Sequence, residues 1–228
     1  MRALPLVLGL AVGLGSTSGS PPVTPGECSI GSDGASLCLY RSLLPSAGIV
    51  ASCRDGHDCR VGYYYGNPSD AVWFKPPQDT PMLPKPEVIW LTSTLAQIRF
   101  DCGHPCSWSY FFEARRQRLS EPRRSVLGVD PRRLLMALAE DRALVVRQVF
   151  SGREVARVER DWAPVTWLGD VITALHFDPD GRLSFTWLRG KERAPVSERV
   201  SVPSVPHPQP SSLPQDWPRA CLSRTGHT

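Results

Sequence analysis

Nine short runs of β-branched, aromatic and aliphatic residues follow one another between Val88 and Leu188, with turn residues between them. They are VIWL (88–91), AQIRF (96–100), SWSYFFEA (107–114), SVLGV (125–129), LLMALA (134–139), ALVVRQVF (143–150), EVARVE (154–159), ITALHF (172–177) and RLSFTWL (182–188). Runs this short suit strands, whereas a helix needs roughly ten residues or more of sustained period. The clearest turns are Asp130-Pro131, Glu140-Asp141, Ser151-Gly152 and Asp178-Pro179-Asp180-Gly181. The last of these, directly before RLSFTWL, is a strong hairpin signal. With 23 Pro and 18 Gly among 228 residues, the backbone is punctuated too often for long helices.

One segment offers a competing reading. PRRLLMALAED (131–141) could form a helix, with Asp130 as N-cap and Pro131 at the first helical position. Its neighbours favour strands, because residues 128–159 read as strand, turn, strand, turn, strand, turn, strand. That stretch resembles one blade of a β-propeller. The resemblance rests on the Asp130-Pro131 turn, the Glu140-Asp141 turn, the strand VVRQVF and the turn Ser151-Gly152-Arg153-Glu154. A second Asp-Pro turn, at Asp178-Pro179, and the strand RLSFTWLRG match the same pattern. A third unit, AQIRFDCGHPCSWSYFFEARRQRLS, matches in part, so blade-like units cover residues 88–202. Three units are too few to close a propeller, which takes roughly four to eight. The expected fold class is therefore mainly β: an antiparallel β-meander or sandwich with blade-like hairpin units and a small disulfide-rich N-terminal module covering an exposed edge.

The first residues supply an address. Arg2 precedes an apolar run, Ala3 to Gly15, and a small-residue stretch, STSGS, follows. That is the form of a secretory signal peptide, expected to span residues 1–19, and the run is too short to cross a bilayer. No later segment is apolar enough to span a membrane, so no membrane span is expected in the mature chain. In an exported chain, seven Cys read as disulfides. The short spacings suggest Cys28 with Cys38, Cys53 with Cys59 and Cys102 with Cys106, which leaves Cys221 free or paired with another chain. A long-range bridge to Cys221 would instead leave one of the other six odd. The expected order is a cysteine-rich β module (20–75), a Pro-rich linker or loop (76–87), the β-meander (88–202) and a Pro-rich tail (203–228).

Four constellations could carry chemistry. CGHPC (102–106) is read as a disulfide loop. The alternatives are a zinc or copper site on Cys102, His104 and Cys106 with His57 or Cys59, and a redox-active pair. No metal site and no cofactor is assigned. Hydrolytic chemistry has only His57, His104 and His176 outside the tail, with Asp170 or Asp178 as partners for His176, and no GxSxG, HExxH or SxxK occurs. A basic run collects Arg115, Arg116, Arg118, Arg123, Arg124, Arg132 and Arg133 within 19 residues. Such a run attracts anions at long range, although a solvated loop in an Arg-rich chain looks the same. Of the 26 basic residues only Lys75, Lys85 and Lys191 are Lys, a bias that GC-rich coding explains. Aromatics cluster at Tyr63, Tyr64, Tyr65, Trp73 and Phe74 and again at Trp108, Tyr110, Phe111 and Phe112. On strands, half of these face a core and half could stack on sugars or a partner protein.

The expectation is a non-enzymatic binding protein of the bacterial periplasm or secreted space. Its sharpest form is an inhibitor or immunity-type protein recognising an envelope-acting protein. The expected partner is another protein or an anionic envelope component, not nucleic acid. The alternatives are a secreted hydrolase without a recognisable motif and a metal-binding envelope protein.

Overall fold

A computed structural model describes residues 24–44, 46–54, 57–75, 83–103 and 107–204. The expected signal peptide, most of the expected Pro-rich linker, His104, Cys106 and the tail from residue 205 with Cys221 lie outside the described residues, and for His57 only the backbone is described.

The chain is all β, laid down as four antiparallel sheets in succession. The first sheet has strands β1 (Glu27–Ile30), β2 (Ala35–Arg41), β3 (Ala47–Arg54), β4 (His57–Tyr65) and β5 (Val72–Trp73), in that order. The second contains β6 (Glu87–Trp90), β7 (Leu95–Asp101), β8 (Ser107–Glu113), β9 (Arg118–Leu119) and β10 (Arg123–Arg124), ordered β10-β8-β7-β6 with β9 also on β8. The third contains β11 (Val126–Asp130), β12 (Leu135–Glu140), β13 (Ala143–Gln148) and β14 (Glu154–Val158). The fourth contains β15 (Ile172–Phe177), β16 (Arg182–Arg189) and β17 (Ala194–Ser201). The three blade-like units expected over 88–202 correspond to the second, third and fourth sheets, and the cysteine-rich module is a sheet of its own.

Strand alternation shows how the sheets stack. Ala96, Ile98 and Phe100 of β7 and Tyr110 and Phe112 of β8 join one core with Cys38, Ile49, Ala51, Val61 and Phe74 of the first sheet. Leu95 and Phe111, on the opposite face of the second sheet, meet Met136 and Leu138 of β12. Leu135 and Ala137 of β12 and Leu144 and Val146 of β13 then join Leu183, Phe185 and Trp187 of β16. The second and third sheets are thus buried on both faces, which is why β12 and β13 each begin with four fully buried residues. Each large apolar side chain removed from water in this way contributes roughly 1.5–3 kcal/mol. The fourth sheet ends the stack, and β16 alternates buried Leu183, Phe185 and Trp187 with half-exposed Ser184, Thr186 and Leu188.

The strand reading of 131–141 holds, and the turn before it shows why. Asp130 Oδ1 accepts from the backbone N–H groups of Arg132 and Arg133 (3.0 and 3.1 Å), as a helix N-cap would. Leu134 then takes φ +54°, a left-handed conformation that stops a helix, and β12 pairs with β11 and β13. Gly128 of β11 permits the approach of the fourth sheet, since a Cβ there would strike Leu175 of β15.

Two disulfides lie across paired strands. Cys28–Cys38 joins register partners on β1 and β2, and Cys53–Cys59 joins register partners on β3 and β4, each with Cα atoms 4.0 Å apart. Cys102 is also disulfide-bonded, to a partner outside the described residues.

Candidate functional site

The run of arginines is contiguous in sequence and dispersed in function. Arg115 and Arg116 sit in the 3-10 turn Ala114–Arg116, where Arg116 pairs with Glu113 at 3.4 Å. Arg118 lies 4.4 Å over the ring of Phe150, and Arg124 lies 4.4 Å over the ring of Trp108. Both contacts are cation–π geometry that anchors a guanidinium to the surface. Arg123 rests against Gly152, where a Cβ would strike its guanidinium. Arg133 ties two sheets together: Nε donates to Asp130 Oδ2 at 2.6 Å and Nη1 donates to the Gly181 carbonyl at 2.8 Å. Arg132 is exposed beside it.

His176 does meet an acid. Its Nε2 is 3.1 Å from Asp178 Oδ1, while Asp178 Oδ2 accepts from Ser184 Oγ and from Arg199 Nε, each at 2.7 Å. The Ser184 hydroxyl, foremost, and the Arg199 guanidinium hold the Asp178 carboxyl below the usual carboxylate range. The order of contact matters for chemistry. A nucleophile needs its base next to it, with the acid behind the base. Here the acid lies between the hydroxyl and the imidazole, so Ser184 donates to a carboxylate and is not activated by His176. Asp170 lies at the end of a separate 3-10 turn, Leu168–Asp170.

Among the described residues no group of three or more His, Cys, Asp and Glu side chains could hold a metal ion. For CGHPC the sulfur of Cys102 is in a disulfide, which removes it as a thiolate donor.

The aromatics divide as strand alternation requires. Tyr63 stacks on Phe112 at 4.7 Å and Phe74 packs on Tyr110 at 5.1 Å, both inside the first core. The Tyr110 hydroxyl donates to the Lys75 carbonyl at 2.7 Å, and burial pushes its pKa up to about 12. Tyr65 and Trp73 remain exposed, and Arg60 lies 4.8 Å over the Trp73 ring.

Two open clefts adjoin the third sheet, one against the fourth sheet and one against the connection between the two sheets. One, of about 300 Å³, is lined by Asp130, Arg132, Arg133, Phe177 and Asp178, beside the two Asp-Pro turns. The other, of about 260 Å³, is lined by Asp141, Arg142, Trp162, Val165, Thr166 and Trp167, among others. The sequence reading missed the second cleft. Its signal was the segment DWAPVTW (161–167), which puts two Trp in one connection without strand alternation.

These features define a class: an all-β, disulfide-linked protein of stacked meander sheets whose cross-links mark maturation in an oxidising, extracytoplasmic environment. No known protein family and no curated protein matches the chain.

Proposed function

We propose that this chain is an exported, non-enzymatic binding protein of the bacterial periplasm or secreted space, and that it recognises an envelope-acting protein through its first sheet. One observation carries the reading. Among the described residues, the large apolar side chains that stay exposed are Ile30, Leu37, Leu43, Tyr65, Val72 and Trp73, and all belong to the first sheet or its turns. Apolar groups concentrated on one module, beside an Arg-stacked Trp and the Glu27–Arg41 pair at 3.1 Å, have the make-up of a protein interface with a charged rim. The outward residues of the fourth sheet are of the opposite kind: Thr186 and Ser197 hydrogen-bond each other at 2.9 Å, and Asp178, Asp180 and Arg199 pair among themselves.

The test is site-specific photo-crosslinking in cells exporting the protein, with the reactive group at Leu37, Trp73 or, as control, Thr186. The expected result is one discrete protein adduct from positions 37 and 73 and none from 186. Equal labelling from all three positions, or no protein adduct from either first-sheet position, would overturn the reading. So would adducts consisting only of anionic lipid or glycan.

A further inference from the structure

The two-residue turn joining β12 to β13 faces the connection that carries the chain from the third sheet to the fourth, and the cleft of about 260 Å³ lies between them. At its second position the turn is built against backbone preference: Asp141 is a favoured first residue of such turns, but Arg142 stands where Gly is ordinary. Asp141 and Arg142 both have positive φ, +43° and +65°. Two-residue hairpins of this type are ordinarily Asn-Gly or Asp-Gly, because a side chain in the left-handed region costs on the order of 1 kcal/mol. Strain of that kind is retained where the side chain has a use. Among the described residues neither the Asp141 carboxylate nor the Arg142 guanidinium makes a hydrogen bond or an ion pair, and both line the cleft.

The other residues lining the cleft are, Thr166 apart, apolar or aromatic. Trp162 is buried, packs edge-on against Trp187 at 4.8 Å, and donates its indole N–H to the Arg142 carbonyl at 2.8 Å. That bond clamps the turn to the opposite wall. Trp167 donates its indole N–H to Ser125 Oγ at 3.2 Å, so both indoles have their polar atom engaged, and both residues line the cleft. Ala139, Ala163, Val165, Thr166 and Leu168 complete the lining.

We propose that this cleft binds a neutral saccharide ring. A net anion would lie against Asp141 and a net cation against Arg142, adjacent residues of opposite charge. A ring bearing hydroxyls satisfies both, donating to the carboxylate and accepting from the guanidinium, while its C–H face rests on indole. The space suits a single ring, being slightly below the roughly 300 Å³ at which pockets for drug-sized ligands begin. A chain matured outside the cytoplasm meets such rings in envelope glycans.

The test is saturation-transfer difference NMR on the mature protein with N-acetylglucosamine, its β-1,4 trimer and glucose as probes, and Gly-Gly as a zwitterionic comparison. The decisive variant is Asp141→Asn with Arg142→Gly, which supplies the residues that such a turn prefers and removes both charged groups. It is expected to unfold at the same or a higher temperature than the parent, so lost binding cannot be ascribed to misfolding. Each charged hydrogen bond removed should weaken the sugar roughly tenfold, and Trp167→Ala should do the same or more. No ring-proton transfer from any sugar, binding of Gly-Gly alone, or undiminished sugar binding by the double variant would overturn the proposal.

Discussion

Removing the two disulfides of the first sheet one at a time should destabilise the protein in the order opposite to that set by loop length. Chain-entropy arithmetic favours Cys28–Cys38, whose sequence separation is 10, over Cys53–Cys59, whose separation is 6. It assigns them about 2.7 and about 2.2 kcal/mol. The surroundings reverse this ranking. β1 is an edge strand with all four residues exposed, Cys28 included, and it is held by β2 alone. Once uncoupled, β1 can leave the sheet and regain its conformational freedom in the native state, which caps the cross-link's share below the chain-entropy figure; the buried Cys38 sulfur adds about 0.8 kcal/mol. Cys53 and Cys59 are both buried in the first core, on strands paired along eight register positions. Replacing both with Ala removes two buried sulfurs, each comparable to a methylene at about 0.8 kcal/mol, and leaves a void.

The expected totals are therefore about 4 kcal/mol for Cys53→Ala/Cys59→Ala and under about 3.5 kcal/mol for Cys28→Ala/Cys38→Ala. Urea unfolding followed by tryptophan fluorescence measures both, and amide hydrogen exchange reports whether β1 is protected. If the Cys28/Cys38 variant lost as much stability as the other while its β1 amides stayed protected, the argument from burial and edge position would be wrong.

Two further outcomes follow from buried or paired polar groups. Gln97 Nε2 donates to Ser109 Oγ at 3.0 Å between the second and third sheets, so Ser109→Ala should cost about 1–3 kcal/mol by stranding the amide, whereas Gln97→Leu combined with Ser109→Ala should recover most of it in denaturant midpoints. Asp178 has its pKa depressed in the fold, so its contribution is present above the unfolded carboxylate value near about 3.9 and fades as pH falls through the lower folded value. Melting temperatures measured between about pH 6 and about pH 2 should therefore fall less steeply for Asp178→Asn than for the parent, and parallel curves would refute the assignment.

The elements readable from sequence were those whose signal is local. Asp178-Pro179-Asp180-Gly181 turns β15 into β16 with Gly181 at φ +90°, and RLSFTWL alternates because one face of its sheet is covered. Ambiguity was greatest at 131–141, where the apolar run LLMAL suits a helix or a strand. Its strand form depends on Phe111 and Leu95 covering one face of β12 and Phe185 and Leu183 the other, contacts that no local pattern encodes. The same limit applies to the sites. Nothing in RRLLM shows that Arg133 reaches a carbonyl 48 positions away, so a run of like charges read as a patch while one member served as a tie between sheets. Trp162 and Trp167 escaped notice because a connection without period offers no face on which to place them.

The stacking order also restricts where this protein can meet anything else. The central strands of the second and third sheets are covered on both faces, by Phe111 and Met136 on one side and by Phe112 and Leu144 on the other, although edge strands such as β14 keep exposed residues. The outward side of the fourth sheet satisfies its own polar groups, leaving little for a partner to complete. The two surfaces proposed for recognition, on the first sheet and at a hairpin end, differ in what sustains them. The first sheet keeps its exposed apolar residues on a surface cross-linked at both hairpins, β1–β2 and β3–β4. The Asp141–Arg142 cleft is held instead by Trp162 hydrogen-bonding to a backbone carbonyl, over a core that contains no cysteine. The two proposed recognition surfaces therefore have separate mechanical supports, and loss of a cross-link at one end of the stack should leave the clamp at the other intact.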